Sequence, residues 1–413
     1  MHRKSLYQIT IDVAKSHGAY LYDAHRQELV LDLFGMYSSL PLGYNHPIFE
    51  TPAFRQEILE AASVKIPNNE IATAAAEAFL EAFSGHPSMQ PFSFFHFTCT
   101  GSLAVEAALK AARDFRGSRR PRVIAFKDSF HGINGYGGFV SDRFGNVRTR
   151  LDGFPGPYAE LYENPVVRYR NGAPWVDEAR RDRVLGQVGD ALRADVERNI
   201  VAVLVEPIQC TAGDQAMDTR FLVGLRELCT AHEVPLVFDE VQTGFGGTGT
   251  MWYFEQCGVS PDIVAFGKKS QVSGIMVREP FGAIFRAPSR LEVTWDGDVL
   301  DMIRCRYILE AYQRFNILDN VRVRGPELAQ GLRELPPLRN VRQAGLLIAF
   351  DFDGSEERDA YVRTMREHQA IMLPTQTHTV RWRPNLALTP EEARAALTKT
   401  SQALDTLYAH HPR

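Results

Sequence analysis

Five short apolar runs punctuate the middle of the chain: FSFFHFT (92–98), RVIAF (122–126), NIVAVLVEP (199–207), VPLVFDE (234–240) and PDIVAFGK (261–268). Each is rich in Val, Ile and Phe and too short for a core helix, so each predicts a buried strand. Their apolar positions are continuous rather than alternating, as in strands covered on both faces. Between them the spacing changes. SLAVEAALKAARDF (102–115) and FLVGLRELCTAHE (221–233) carry apolar residues at helical intervals, the first without Gly or Pro. Strands alternating with helices predict an α/β fold, a mostly parallel central sheet with helices on both faces.

The ends follow a different pattern. GAYLYDAHRQELVLDLF (18–34) predicts two strands around a polar turn, and VLDMIRCRYILEAYQRFNI a long helix beginning near residue 300. RQAGLLIAFDF (342–352) predicts a strand, with helices near 355–368 and at 389–408. Residues 50–290 are therefore expected to form a large domain. Residues 1–49 and 291–413 are expected to pack together as a smaller α+β one.

Composition narrows the partners. A chain of 413 residues exceeds one ordinary domain. Its 46 basic and 50 acidic residues leave a net charge of −4, which argues against a general grip on nucleic acid or an anionic membrane. No apolar run is long enough for a membrane span. The start, MHRKSLYQITIDVAKSHG, lacks the apolar stretch of a secretory signal. Five cysteines (Cys99, Cys210, Cys229, Cys257, Cys305) are widely spaced and form no CxxC pair, which predicts a reducing, cytoplasmic setting without disulfides or a metal site.

One motif points the wrong way. Gly244, Gly246 and Gly249 in GFGGTG match G-x-G-x-x-G, but DEVQT separates them from the strand, and TMWYFEQCG after them has no clear helical face. A dinucleotide site needs both neighbours, so a tight loop is the better expectation.

Four features stand at predicted strand ends, where open α/β sheets hold ligands. Thr100-Gly101-Ser102 precede a helix and offer backbone N–H groups to a phosphate, although Ser there also makes a plain N-cap. Ser129-Phe130-His131-Gly132 place an aromatic at a strand end, as a stacking platform or as core. Asp239 follows four apolar residues, where an acid either pairs or emerges into a cleft, and Gln242 adds an amide nearby. Lys268 ends another strand, where desolvation makes an amine nucleophilic, with Lys269 as the neighbouring candidate. Phosphate cradle, aromatic plate, carboxylate and lysine together are the parts that hold pyridoxal phosphate.

With VEPIQ, VFDEVQTGFGGTGT and PDIVAFGKKSQVSGIM, and with likeness running from GAYLYDAHRQELVLDLF through LGYNHP to VRWRPNLAL, the chain resembles the class-III (ω-) aminotransferases of fold-type I, nearest to the L-lysine 6-aminotransferases. The resemblance implies that Gly101 and Ser102 bind the phosphate, Phe130 stacks on the ring and Glu206 lies near the cofactor. Asp239 pairs with the ring nitrogen and Gln242 lies by the ring hydroxyl. Lys268, six positions after Asp262, becomes the Schiff-base lysine and proton shuttle. Thr294 would reach the phosphate of a second subunit, implying a homodimer with a shared site. Arg381 would clamp a substrate carboxylate, with Arg383 more structural. The activity implied is transfer of an amino group from a primary amine or ω-amino acid to a 2-oxo acid such as 2-oxoglutarate. Other reactions of the same cofactor and fold (aminomutase, epimerase, decarboxylation, C–C bond formation) are the alternative.

Two positions depart from the pattern. The segment after FHG begins with an arginine in lysine 6-aminotransferases, and here with Ile133. Their EPIQGEGG carries a glutamate that masks the carboxylate-binding arginine, and here, in EPIQCTAGD, that place is Thr211. Losing the arginine removes a charge-assisted contact of about 1.5–3 kcal/mol. A donor other than free lysine is therefore expected, unless Tyr37, Ser38 or Asn134 compensates.

Overall fold

The computed structural model describes residues 7–67, 70–142, 159–170 and 172–410. Its main sheet has seven strands, in the spatial order Phe94–Thr98, Ser273–Val277, Ile263–Phe266, Leu236–Asp239, Ile200–Val205, Arg122–Phe126, Ala159–Tyr162. Six run parallel. Ser273–Val277 is antiparallel to both of its neighbours.

The apolar runs are continuous because alternate residues serve two cores. Val123, Ala125, Val237, Ile263 and Ala265 face the cluster built on the Gly101–Arg116 helix. Ile124, Phe126, Phe238, Val264 and Phe266 face the opposite cluster. That second cluster includes Val184, Val188 and Leu192 of helix Glu178–Ala194, and Phe221, Leu222 and Leu225 of helix Thr219–Ala231. Helices thus cover both faces. The Gly101–Arg116 helix packs closely through small residues, with Ala104, Ala108, Ala111 and Ala112 all buried, and ends at left-handed Gly117 (φ 69°).

The N-terminal hairpin forms as expected, Tyr20–Asp23 against Glu28–Asp32, and the strand Ala370–Ile371 adds to it in parallel. Three expectations need correction. The segment 342–352 is not one strand but two antiparallel ones, Arg339–Ala344 and Leu347–Asp351, turned at Gly345 (φ 58°). The long helix after residue 300 is two, Val299–Arg314 and Ile317–Arg333, broken where Asn316 takes φ 51°. Strand Ser273–Val277, which completes the sheet, lies in QVSGIM, where the sequence reading placed no strand. No described helix is long and apolar enough to cross a membrane.

Candidate active site

The ends of the parallel strands surround a cavity of about 500 Å³. Thr100, Gly101 and Ser102, which open the Gly101–Arg116 helix, form one wall. Thr100 is extended and its side chain makes no cap; its carbonyl takes the N–H groups of Leu103 and Ala104, so those of Gly101 and Ser102 are left to other acceptors. Two glycines keep the approach to them clear. A Cβ on Gly101 would lie 2.6 Å from Val241 Cγ1. One on Gly132, at φ 104°, would lie 2.1 Å from Ser102 Oγ. The N–H of Ile133 donates to that Ser102 Oγ at 3.3 Å. A helix N-terminus so enclosed is an anion cradle.

Asp239 closes strand Leu236–Asp239 and is 6% exposed. Its Oδ2 meets His131 Nδ1 at 2.9 Å, and its Oδ1 accepts from the Val241 N–H at 3.1 Å. His131 is buried beside the cavity, and its Nε2 has no hydrogen-bond partner among the described residues. Glu206, the first residue after Ile200–Val205, accepts from the Phe130 N–H at 2.7 Å. Burial pushes its carboxyl up to about 7, with His131 opposing and Asp239 adding to the effect. Burial thus favours the protonated form of Glu206 beside Asp239 as pH falls below about 7.

Lys268 follows Gly267 at the end of strand Ile263–Phe266, adopts φ 55° and lines the cavity. Burial holds its amine below the usual lysine range, and Asp239, Cys210 and Glu206 work against that shift. Lys269 is 1% exposed, does not line the cavity and donates to the backbone carbonyls of Gln242 and Gly244. The geometry thus gives the two lysines different surroundings: Lys268 lines the cavity and Lys269 is buried against backbone carbonyls.

Phe130, Gln242, Thr211 and Ile133 complete the walls, and Ile133 is 70% exposed at the mouth. Arg381 is 6% exposed and does not line the cavity; its Nη1 donates to the Cys210 carbonyl at 2.7 Å. Arg383 is fully occupied. Both its Nη atoms pair with Asp214, and its Nε donates to Gln242 Oε1 at 3.1 Å. Thr294 lies in an exposed stretch and does not line this cavity, although the carbonyl of its neighbour Trp295 accepts from Sγ of cavity-lining Cys99 at 3.2 Å; Tyr37, Ser38 and Asn134 do not line it either.

Sequence reasoning did not single out His131, Ser39, Gln271 or Ser273, all at the cavity. The signal for His131 was its place in a strand-end turn. Nothing in the spacing ties it to an aspartate 108 positions on. A carboxylate fixed by a histidine, a lysine of lowered basicity and a cleared helix N-terminus fit pyridoxal phosphate: ring nitrogen, aldehyde and phosphate each find a complementary group.

Comparison with known proteins agrees. The family pattern described as "Aminotransferase class-III" matches residues 2–404. The L-lysine-epsilon aminotransferase of Amycolatopsis lactamdurans is 36% identical over 423 residues, spanning 96% of this chain and 92% of that protein. The 4-aminobutyrate aminotransferase of Schizosaccharomyces pombe is 29% identical, over 98% of this chain and 91% of that protein. The solved lysine aminotransferase from M. tuberculosis superposes with a TM-score of 0.92 at 33% identity, covering 98% of this chain and 97% of that one.

Proposed function

The chain belongs to the class-III aminotransferases, fold-type I enzymes that use pyridoxal phosphate, and from that membership we propose how its own residues share the transfer of an amino group from a primary amine to a 2-oxo acid. Bound in the cavity, pyridoxal phosphate supplies an electrophilic carbon for amines and a ring that accepts the electrons released when a C–H proton leaves.

The Gly101 and Ser102 end of the helix would hold the cofactor's phosphate, Phe130 and Gln242 would hold its ring, and Asp239 would pair with its ring nitrogen. His131, pinned to Asp239 Oδ2, fixes that carboxylate's orientation. Lys268 Nζ would have two tasks: to anchor the cofactor, and to take and return the proton at the reacting carbon. Its depressed basicity suits both, since the neutral amine is nucleophile and base. Glu206, its carboxyl raised to about 7 by burial, stands at the cavity with Lys268 and holds the Phe130 N–H. The observation that carries this reading is the meeting of Lys268, the Asp239–His131 pair and the Gly101 helix end around one cavity.

On the substrate side we propose a donor whose distal end is not a free carboxylate held at position 133. Among the described residues lining the cavity, Lys268 is the only Lys or Arg, and the mouth carries exposed Ile133. Arg381 is assigned to the carboxylate of the 2-oxo acid although it does not line the cavity. Its Nη1 donates to the carbonyl of Cys210, next to cavity-lining Thr211, so the role requires Arg381 to give up that contact when the acid binds. With Thr211 in place of a glutamate, no acid at that position competes for it. Thr294 is assigned to the phosphate in a second copy's site, which makes the active form a homodimer. The test is a half-reaction. The cofactor-loaded protein is mixed with lysine, ornithine, 4-aminobutyrate and simple amines, and the fading of its visible absorption is followed. A simple or capped amine is expected to react fastest. Lysine ahead of every other donor by a wide margin overturns the substrate proposal.

A further inference from the structure

We propose that Lys269 is a positioning residue for the cofactor cavity: its buried ammonium clasps the turn 242–247 and so fixes the cavity edge formed by Asp239, Val241 and Gln242. The inference rests on the assignment of the cofactor to this cavity.

The segment after strand Leu236–Asp239 delivers three cavity side chains within four residues and then must turn away. Lys269 Nζ donates to the carbonyl of Gln242 and, at 3.2 Å, to that of Gly244. Its lysine neighbour Lys268 points into the cavity, so one dipeptide contacts both sides of the same edge. Gly247 shows that the seat is made for this side chain. A Cβ there would stand 2.6 Å from Lys269 Cε and 2.9 Å from Nζ, while the residue's own backbone lies outside the left-handed region. The other glycines of GFGGTG serve the same turn. Gly244 packs against the Trp252 ring, where a Cβ would lie 2.6 Å away, and Gly246 and Gly249 take φ 89° and 95°. Of the stretch that mimics a dinucleotide site, Gly244 gives its carbonyl to the buried ammonium and Gly247 leaves it room, whereas Gly246 and Gly249 pack against Tyr312 and Val321. A fixed Gln242 backbone also fixes its amide, whose Oε1 accepts from Arg383 Nε.

A lysine buried to 1% is costly unless its hydrogens are used. Burial draws its ammonium down to about 7, against Cys210 and Glu240 and with Lys268 and Arg383. Either protonation state keeps N–H donors for the two carbonyls. The clasp therefore does not depend on the charge alone.

The experiment compares holoenzyme of wild type, Lys269→Met, Gly247→Ala and the double variant. Two readouts are taken: the dissociation constant of pyridoxal phosphate and the pH midpoint of the visible absorption band. Lys269→Met is expected to weaken cofactor retention about tenfold, the value of one or two hydrogen bonds to a charged donor. It should shift the midpoint by about half a pH unit, as a cation leaves the vicinity of Lys268. Gly247→Ala, which keeps the lysine but displaces its tip, should move both readouts the same way, and the double variant should be no worse than Lys269→Met. Both readouts within about twofold or 0.2 units of wild type, with only the melting temperature lowered, overturn the proposal, as does full additivity. If Lys269→Met does not fold, Gly247→Ala alone decides by the same criteria. Lys268→Ala, run beside them, tests the cavity assignment itself: a visible band that survives there overturns that assignment and not the clasp alone.

Discussion

At Lys268 the backbone takes φ 55°, which costs a residue with a side chain about 1–2 kcal/mol. That local strain separates Lys268 from Lys269, turning one amine into the cavity while the next is buried against carbonyls. Lys268→Ala is expected to abolish the visible cofactor band and slow transamination by about 10³-fold or more, since nucleophile and proton carrier go together. Absorption spectra and steady-state rates check both. The two arginines of VRWRP should separate just as sharply. Arg383→Met leaves Asp214, 7% exposed, without its bidentate partner and should cost about 3–5 kcal/mol of stability, read in chemical denaturation. Arg381→Met should leave stability less affected and raise KM for the 2-oxo acid more than KM for the amine. At the mouth, Ile133→Arg places a guanidinium beside the cavity at a 70% exposed position. It should favour donors with a distal carboxylate over simple amines by about tenfold.

The elements set the protonation of the floor. Glu206 stands where strand Ile200–Val205 ends, and burial there raises its carboxyl from 4.5 to about 7. The folded state thus holds a proton that the unfolded chain has already lost. Stability from this group is complete below pH 4.5, falls as pH rises toward 7, and is level above it. Glu206→Gln removes the titration while keeping an acceptor for the Phe130 N–H. In cofactor-free protein, the variant's melting temperature should gain on wild type between pH 4.5 and 7 and stay parallel above. The gain corresponds to at most about 3 kcal/mol, and a flat difference across that range refutes the assignment. How legible these elements are follows from what forms them. The strands at 122–126, 200–205 and 263–266 announce themselves because both faces are buried. The antiparallel strand Ser273–Val277 did not. Its QVSGIM is short, contains Gly274 and packs where a Cβ would meet the His96 carbonyl at 2.2 Å, a constraint visible only across the sheet. The hairpin at 339–351 read as one strand because a single Gly345 makes the turn. In the site, groups fixed by strand ends (Asp239, Lys268, Gly101) were legible. His131 was not, because its role is a contact between distant turns.

At the scale of the whole molecule, one cavity and one exposed threonine bear on assembly. The cavity contains Lys268 and the Gly101 helix end, whereas Thr294 lies in the exposed 292–295 stretch with Val293 and Trp295. Exposed apolar side chains beside a hydroxyl that reaches no partner cavity in its own chain fit a surface covered by a second copy. If Thr294 completes the neighbour's phosphate site, Lys268→Ala and Thr294→Ala are each defective for different reasons. A hybrid of the two contains one site built from the intact Lys268 of one chain and the intact Thr294 of the other, and one site with both defects. Mixing the two variants under conditions that exchange subunits should therefore restore activity, to about one quarter of the wild-type sites at equal proportions. Cofactor retention should recover in step, and sedimentation should show one dimeric species throughout. Activity that stays at the sum of the separate variants after proven subunit exchange would place Thr294 outside the partner's site and leave each chain to build its phosphate cradle from Gly101, Ser102 and Gly132 alone.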